Sequence, residues 1–318
     1  MQSFVTDRDI LQAADRIRPF VHRTPILTSH TVNHITGKQL FFKCENFQKV
    51  GAFKARGATN AVCSLNGEEL SKGVATHSSG NHAQALSWAA SLKNIPAFIV
   101  MPSNSSPVKV EAVRSYGGMI TFCEPTLIAR ETTLAEVMKK TGALEIHPYN
   151  DPRIIAGQAT AAYELMQDVG DLDLVLAPVG GGGLLSGTAL SVNYFFPGTD
   201  VIGTEPEQAN DACLSFSQKE FIPSVNPDTI ADGLRTSLGT ITFPIILDHV
   251  KDIITVSESS IITAMRMLWE RMKILVEPSS AVPFAAVMKN KVPAHYKKIG
   301  IIISGGNVDL DDLPWLKP

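Results

Sequence analysis

From about Gly73 to Ile303 the sequence alternates short apolar runs with longer segments of helical period. That alternation constrains the fold more than any single motif. Parallel strands need long crossovers, and helices of this length between strands bury a parallel sheet on both faces. The pattern predicts strands at 74–77, 97–101, 119–123, 144–147, 172–177, 200–204, 253–256 and 298–303. It predicts helices at 81–93, 107–116, 126–140, 154–167, 184–194, 258–275 and 279–288. Upstream, Thr6-Asp-Arg-Asp9 reads as a capping box opening a helix that ends near Arg18. A short helix at 28–35 closes at Gly37, a strand follows at 40–45, and a helix at 52–65 carries Lys54 in its first turn. About nine strands are too many to assume one sheet, so two α/β domains with a cleft between them are expected, with boundaries near residues 70 and 150. Residues 205–227 read as an irregular, functional loop.

Composition narrows the classes. At 318 residues with 44% hydrophobic and 19% charged side chains, the chain can bury a full core. A net charge of −3 without a Lys/Arg run gives no nucleic-acid footprint. Cys44, Cys63, Cys123 and Cys213 are scattered without a C-x-x-C, which argues against a disulfide scaffold or a zinc knuckle and for reduced thiols in the cytoplasm. The N-terminal residues carry no apolar signal core, and no stretch is long enough to span a bilayer.

Two strand-to-helix turns could carry chemistry. Gly180-Gly181-Gly182-Gly183 follows an apolar strand and opens a helix, where bare N–H groups and the helix dipole favour an anion. A nicotinamide dinucleotide is one reading, because Glu205 ends the next strand. The G-x-G-x-x-G spacing fails in both registers, however, since Leu185 and Ser186 stand where glycine is required, and a simple phosphomonoester is preferred. The second turn, Ser79-Gly80-Asn81-His82, presents a hydroxyl and an amide at another helix N-terminus, where Ser79 or Asn81 could also act as the N-cap. Lys54 lies beside Phe53 in Gly51-Ala-Phe-Lys-Ala-Arg-Gly57; a desolvated lysine has a lowered pKa and can form a Schiff base. Ser304-Gly305-Gly306-Asn307 ends the last strand, either as a plain turn or as part of a site.

Taken together and in order, Phe53-Lys54-x-Arg56-Gly57, Ser78-Ser79-Gly80-Asn81-His82-Ala83-Gln84, Gly180–Gly183, Glu277-Pro278 and Ser304-Gly305-Gly306-Asn307 resemble the fold-type II pyridoxal-phosphate enzymes of the serine/threonine dehydratase family. The resemblance spans nearly the whole chain. It implies a tryptophan synthase β-like α/β fold with two open, twisted, mostly parallel sheets. Residues 1–68 and 150–318 would form the large cofactor-binding domain, and residues 69–149 the small one.

The resemblance also implies roles. Lys54 would carry pyridoxal 5'-phosphate, Phe53 would lie against its ring, and Asn81 would face the ring hydroxyl. Gly180, Gly181, Gly182, Gly183 and Leu184 would cradle the phosphate, with Gly233 and Glu277 nearby, and Ser304 would meet the pyridine nitrogen. Ser78, Ser79, Asn81, His82, Arg130 and Thr236 would hold an amino-acid substrate. Lys54 and Ser79 would serve opposite faces of the substrate Cα, which implies racemisation of serine alongside β-elimination to pyruvate and ammonia. A dehydratase for threonine, serine or 3-hydroxyaspartate is the alternative within the family; an oxidoreductase or a non-catalytic phosphate-binding module lies outside it. Glu205, the Ala209 carbonyl and Asp211 would bind Mg²⁺, Ca²⁺ or Mn²⁺. A homodimer with ATP as an activator is implied as well. Asn150-Asp151-Pro152 lacks the serine cluster of related aspartate racemases, which speaks against aspartate as the main substrate.

Overall fold

In the computed structural model, which describes residues 4–316, the strands divide between two sheets. In chain order they are β1 (Ile26–Leu27), β2 (Gln39–Cys44), β3 (Val74–His77), β4 (Ala97–Pro102), β5 (Met119–Cys123), β6 (Leu144–Glu145), β7 (Leu174–Pro178), β8 (Asp200–Pro206), β9 (Asp252–Val256) and β10 (Lys298–Ile303). One sheet runs β1-β2-β10-β7-β8-β9, the other β5-β4-β3-β6. Every neighbouring pair is parallel except β1 with β2.

The apolar strands follow from two-sided burial. Every residue of β7 is buried, as is β10 beyond its first lysine, because helices cover both faces of the larger sheet. The chain leaves this sheet after β2, builds the smaller sheet, and returns at β7, while β10 slots between β2 and β7. The C-terminal ends of β2, β10 and β7 therefore lie side by side. Open parallel sheets bind ligands at such an edge, where the strand order reverses.

Several expectations need correcting. The two-residue β1 adds a strand that is too short to show in a periodicity. Helix Asp211–Gln218 lies within the stretch expected to be irregular, and Gly67–Lys72 and Thr242–His249 are further helices. The long helix from 258 ends at Met267, passes through a π-turn over Leu268–Met272, and stops where Lys273 adopts φ 60°. The lysine-bearing helix spans Lys54–Cys63, which puts Lys54 at its first position. The Thr6 capping box forms as expected. Among the described residues, no helix is long and apolar enough to cross a membrane, and all four cysteines are free.

Candidate active site

The loop before Lys54 is stapled to the loop after β10. The Phe53 N–H donates to the Ser304 carbonyl at 2.9 Å, and the Gly306 N–H donates to Gly51 O at 2.9 Å. An isolated bridge joins Ala52 to Gly305. Lys54 thus enters its helix at the sheet edge, with its amine buried and donating to the Pro148 carbonyl at 2.7 Å. Burial lowers its pKa to about 8, and the Glu277 carboxylate opposes that shift. Near neutrality a useful fraction of the amine is unprotonated and nucleophilic. The amine also lies 5.2 Å from the Phe53 ring centroid.

Asn81 opens the helix Asn81–Ser91 at the end of β3. Its Nδ2 donates to both Glu277 oxygens, at 3.0 and 3.1 Å, and its Oδ1 accepts from Asn307 Nδ2 at 2.8 Å. Burial, reinforced by Asp232, pushes Glu277 up to about 7. The smaller sheet is tied in this way to both the Glu277 and Ser304 loops. Ser304 is buried, and its hydroxyl is 2.9 Å from that of Ser280.

The expected N-cap does not form. Gly80 occupies that position without a side-chain bond, and the Ser78 hydroxyl instead accepts the Gly80 N–H at 3.3 Å. Without a cap, the first N–H groups of the helix remain available to an anion. Ser79 is half-buried in this turn. The His82 ring is turned away into the core, where Nε2 bonds Ile146 O at 2.9 Å. Burial holds its pKa well below 6.5, so the ring is neutral and engaged in the core. Arg130 lies on the helix Leu127–Thr141; burial lowers the pKa of His77, and the nearby Arg130 charge adds to that shift.

The glycine run leads into the helix Gly183–Phe195. Gly182 has φ +88°, and a Cβ there would lie 2.8 Å from Thr242, whose hydroxyl donates to Gly181 O at 2.8 Å. Gly233 and Thr236 border Gly180: a Cβ on Gly180 would meet Gly233 O at 3.1 Å and Thr236 Oγ1 at 3.3 Å. Gly182→Ala is therefore expected to cost about 2–4 kcal/mol, from the left-handed backbone and the clash together. Urea unfolding measures that cost, and the same variant should bind phosphorylated ligands more weakly.

Sequence reasoning missed the turn at 147–150 as a structural part of the site. His147 Nδ1 accepts the Asn150 N–H at 2.9 Å and the Tyr149 N–H at 3.3 Å, which bends the chain and aims Pro148 O at Lys54. Tyr149 packs on the glycine run, since a Cβ on Gly181 would lie 2.3 Å from its ring. Nothing local in the sequence marks Thr242 or Ser280.

Glu205 is buried and accepts N–H bonds from Ala212 at 3.1 Å and Cys213 at 2.9 Å. It is turned toward the helix Asp211–Gln218, an arrangement unlike a ribose-binding acid. Both Asp211 oxygens are buried without a hydrogen-bond partner among the described residues, although the Ser224 hydroxyl is close enough to ease its charge. Ala209 is buried beside them, its N–H bonded to Pro206 O at 3.1 Å. Among the described residues, no three His, Cys, Asp or Glu side chains converge as metal ligands. A cation here would need carbonyl and water oxygens to complete its shell.

The family model described as pyridoxal-phosphate dependent enzyme matches residues 17–305. The chain belongs to that family. It is 52% identical over 310 residues to the beta-hydroxyaspartate dehydratase of Paracoccus denitrificans, covering 98% of each chain. It is 49% identical to the serine racemase of Arabidopsis thaliana, covering 96% of this chain and 93% of that one. The crystal structure of serine racemase from Dictyostelium discoideum superposes with a TM-score of 0.93 at 47% identity, covering 97% of this chain and all of that one. The fold is therefore fold-type II, as the motif order implies. The residues of this pyridoxal-phosphate enzyme fit its cofactor: a buried amine with lowered pKa beside an aromatic ring, and a glycine turn at a helix N-terminus for the phosphate.

Proposed function

We propose that the protein interconverts L- and D-serine and also converts serine to pyruvate and ammonia. What supports this reading is a lysine amine whose pKa burial lowers to about 8, together with a serine at position 79 in an uncapped helix turn. Lys54 is assigned to hold the cofactor, Phe53 to lie against its ring and Asn81 to meet the ring hydroxyl. Gly180–Gly183, with Leu184 and Gly233, take the phosphate, and Ser304 the ring nitrogen. Glu277 supports this set through Asn81. When bound, the cofactor draws electron density from the substrate Cα and so acidifies its proton. Lys54 takes or returns that proton on one face, and Ser79 does so on the other. Ser78, Asn81 and the His82 backbone orient the substrate carboxylate, with Arg130 and Thr236 at the rim. Loss of the β-hydroxyl as water, followed by hydrolysis, gives pyruvate and ammonia.

Residues 69–149 act as the smaller domain, closing on 1–68 and 150–318. The working form is a cytoplasmic homodimer, with ATP as its activator. A chiral product assay on L-serine tests the core of the proposal: D-serine must accumulate. The Paracoccus relative supports a second reading, dehydration of 3-hydroxyaspartate. Oxaloacetate formed from that substrate, with no D-serine from L-serine, would favour it.

Glu205, the Ala209 carbonyl and Asp211 are assigned to Mg²⁺ or a similar hard cation, because the unpartnered Asp211 oxygens suit one. Without an ion, burial raises Glu205 to about 9 and Asp211 to about 6. Stability from the neutral acids is then present at low pH and is lost as pH rises through those values. Chelated protein should lose several degrees of Tm between about pH 5 and pH 9. Saturating Mg²⁺ should restore more at the upper end, where both ligands must ionise unaided. An Asp211→Ala variant that responds to Mg²⁺ like wild type would place the ion elsewhere.

A further inference from the structure

We propose that Arg56 is a positioning residue for Lys54: its guanidinium, forked onto Glu45 and Glu164, fixes the lysine-bearing helix against the helix whose leading turn accepts the Lys54 amine. Arg56 is fully buried. Its Nε and Nη2 donate to the two Glu45 oxygens at 2.7 and 2.9 Å. Its Nη1 and Nη2 donate to the two Glu164 oxygens, both at 2.8 Å, and Nη1 also reaches Thr160 Oγ1 at 3.2 Å. Lys43 completes the cluster, donating to Glu164 at 2.7 Å and to Thr24 O at 2.9 Å. Two cations and two carboxylates balance.

A buried cluster of this kind is a poor way to add stability, because apolar replacements often serve as well. What two planar forks supply is a fixed distance and angle. Glu45 follows β2 directly, and Glu164 lies on the helix Pro152–Val169. The contact between the two helices leaves no slack: a Cβ on Gly157 would lie 2.6 Å from Gly57 Cα. Asn60 Nδ2 donates to Arg153 O at 2.7 Å, and the Gly57 N–H donates to Gln158 Oε1 at 3.3 Å. The same central helix seats the cradle helix, since a Cβ on Gly187 would lie 2.7 Å from Ala159 N. Arg56 lies two residues from Lys54 on the opposite side of their helix. Any shift of the clamp therefore moves the lysine relative to Pro148 and to the glycine run.

The inference rests on the reading of Lys54 as the cofactor-bearing lysine, so its test does not need turnover. In the full chain stripped of cofactor, Lys54 is titrated by the pH dependence of its acetylation, followed by mass spectrometry. The ionisable groups acting on it, Glu277, His82 and His147, are untouched by substitution at Arg56. Arg56→Lys keeps the charge and loses both forks. The expected result is a Lys54 titration that rises by at least about one pH unit from its value near 8, as water reaches the displaced amine. In the holoenzyme, kcat for serine should fall at least about tenfold. A folded Arg56→Lys protein with the wild-type Lys54 titration overturns the proposal. Should that variant not fold, the isosteric Glu164→Gln variant decides it, with a smaller rise expected and an unchanged titration overturning it. If borohydride fails to fix cofactor to Lys54 in the wild type, the underlying reading falls, and the titration still decides whether Arg56 sets this site.

Discussion

Lys54→Ala is expected to remove covalent cofactor attachment and reduce turnover by at least about 10²–10⁴-fold, the contribution of a positioned acid–base group alone. The amine is the group that burial has tuned: its pKa is lowered to about 8, and it donates to the Pro148 carbonyl. A carbonyl accepts from the charged and the neutral amine alike, so Lys54 can change protonation state without losing its anchor. The measurements are the visible absorption band of the purified protein and the mass of the borohydride-reduced peptide. Wild type should carry the cofactor mass on the peptide containing Lys54, and the variant should carry none. Cofactor fixed to any other lysine would remove Lys54 from the centre of the site.

Ser79→Ala is expected to separate the two reactions. Racemisation needs a proton handled on both faces of Cα, and elimination needs only one. The variant should therefore lose about 10²–10⁴-fold in conversion of L- to D-serine while retaining pyruvate formation from one enantiomer. A serine hydroxyl is a weak base unless its anion is stabilised. Ser79 sits just before the uncapped N-terminus of the helix Asn81–Ser91, where the helix dipole favours negative charge. Chiral chromatography reads the first reaction, and pyruvate release from each enantiomer reads the second. If the variant still racemises at the wild-type rate, Ser79 is not the second acid–base group.

Much of this architecture was open to a reading of the chain. The strand–helix alternation carries a period that local sterics and burial impose, so most strands were placed to within a few residues. The glycine run and the Thr6 capping box were legible for the same reason. Elements without a period were not: the two-residue β1, and the helix Asp211–Gln218 inside a stretch rich in turn-forming residues. A side chain at Ser79 or Asn81 was expected to cap its helix, but the helix begins at Asn81, Gly80 holds the N-cap position, and the Gly80 N–H donates to the Ser78 hydroxyl.

What the sequence determined alone was the inventory: a lysine at a helix start, two strand-to-helix turns, two carboxylates in one stretch, and the class of sheet that could present them. What the tertiary structure decided was their meeting. The strand β10 inserts between β2 and β7, so motifs more than a hundred residues apart end at one edge. Asn81 reaches Glu277, Pro148 reaches Lys54, and Arg56 reaches Glu164 across 196, 94 and 108 positions of chain. Such contacts are settled by sheet order and by the cost of leaving buried polar groups unpaired, and no local pattern encodes either.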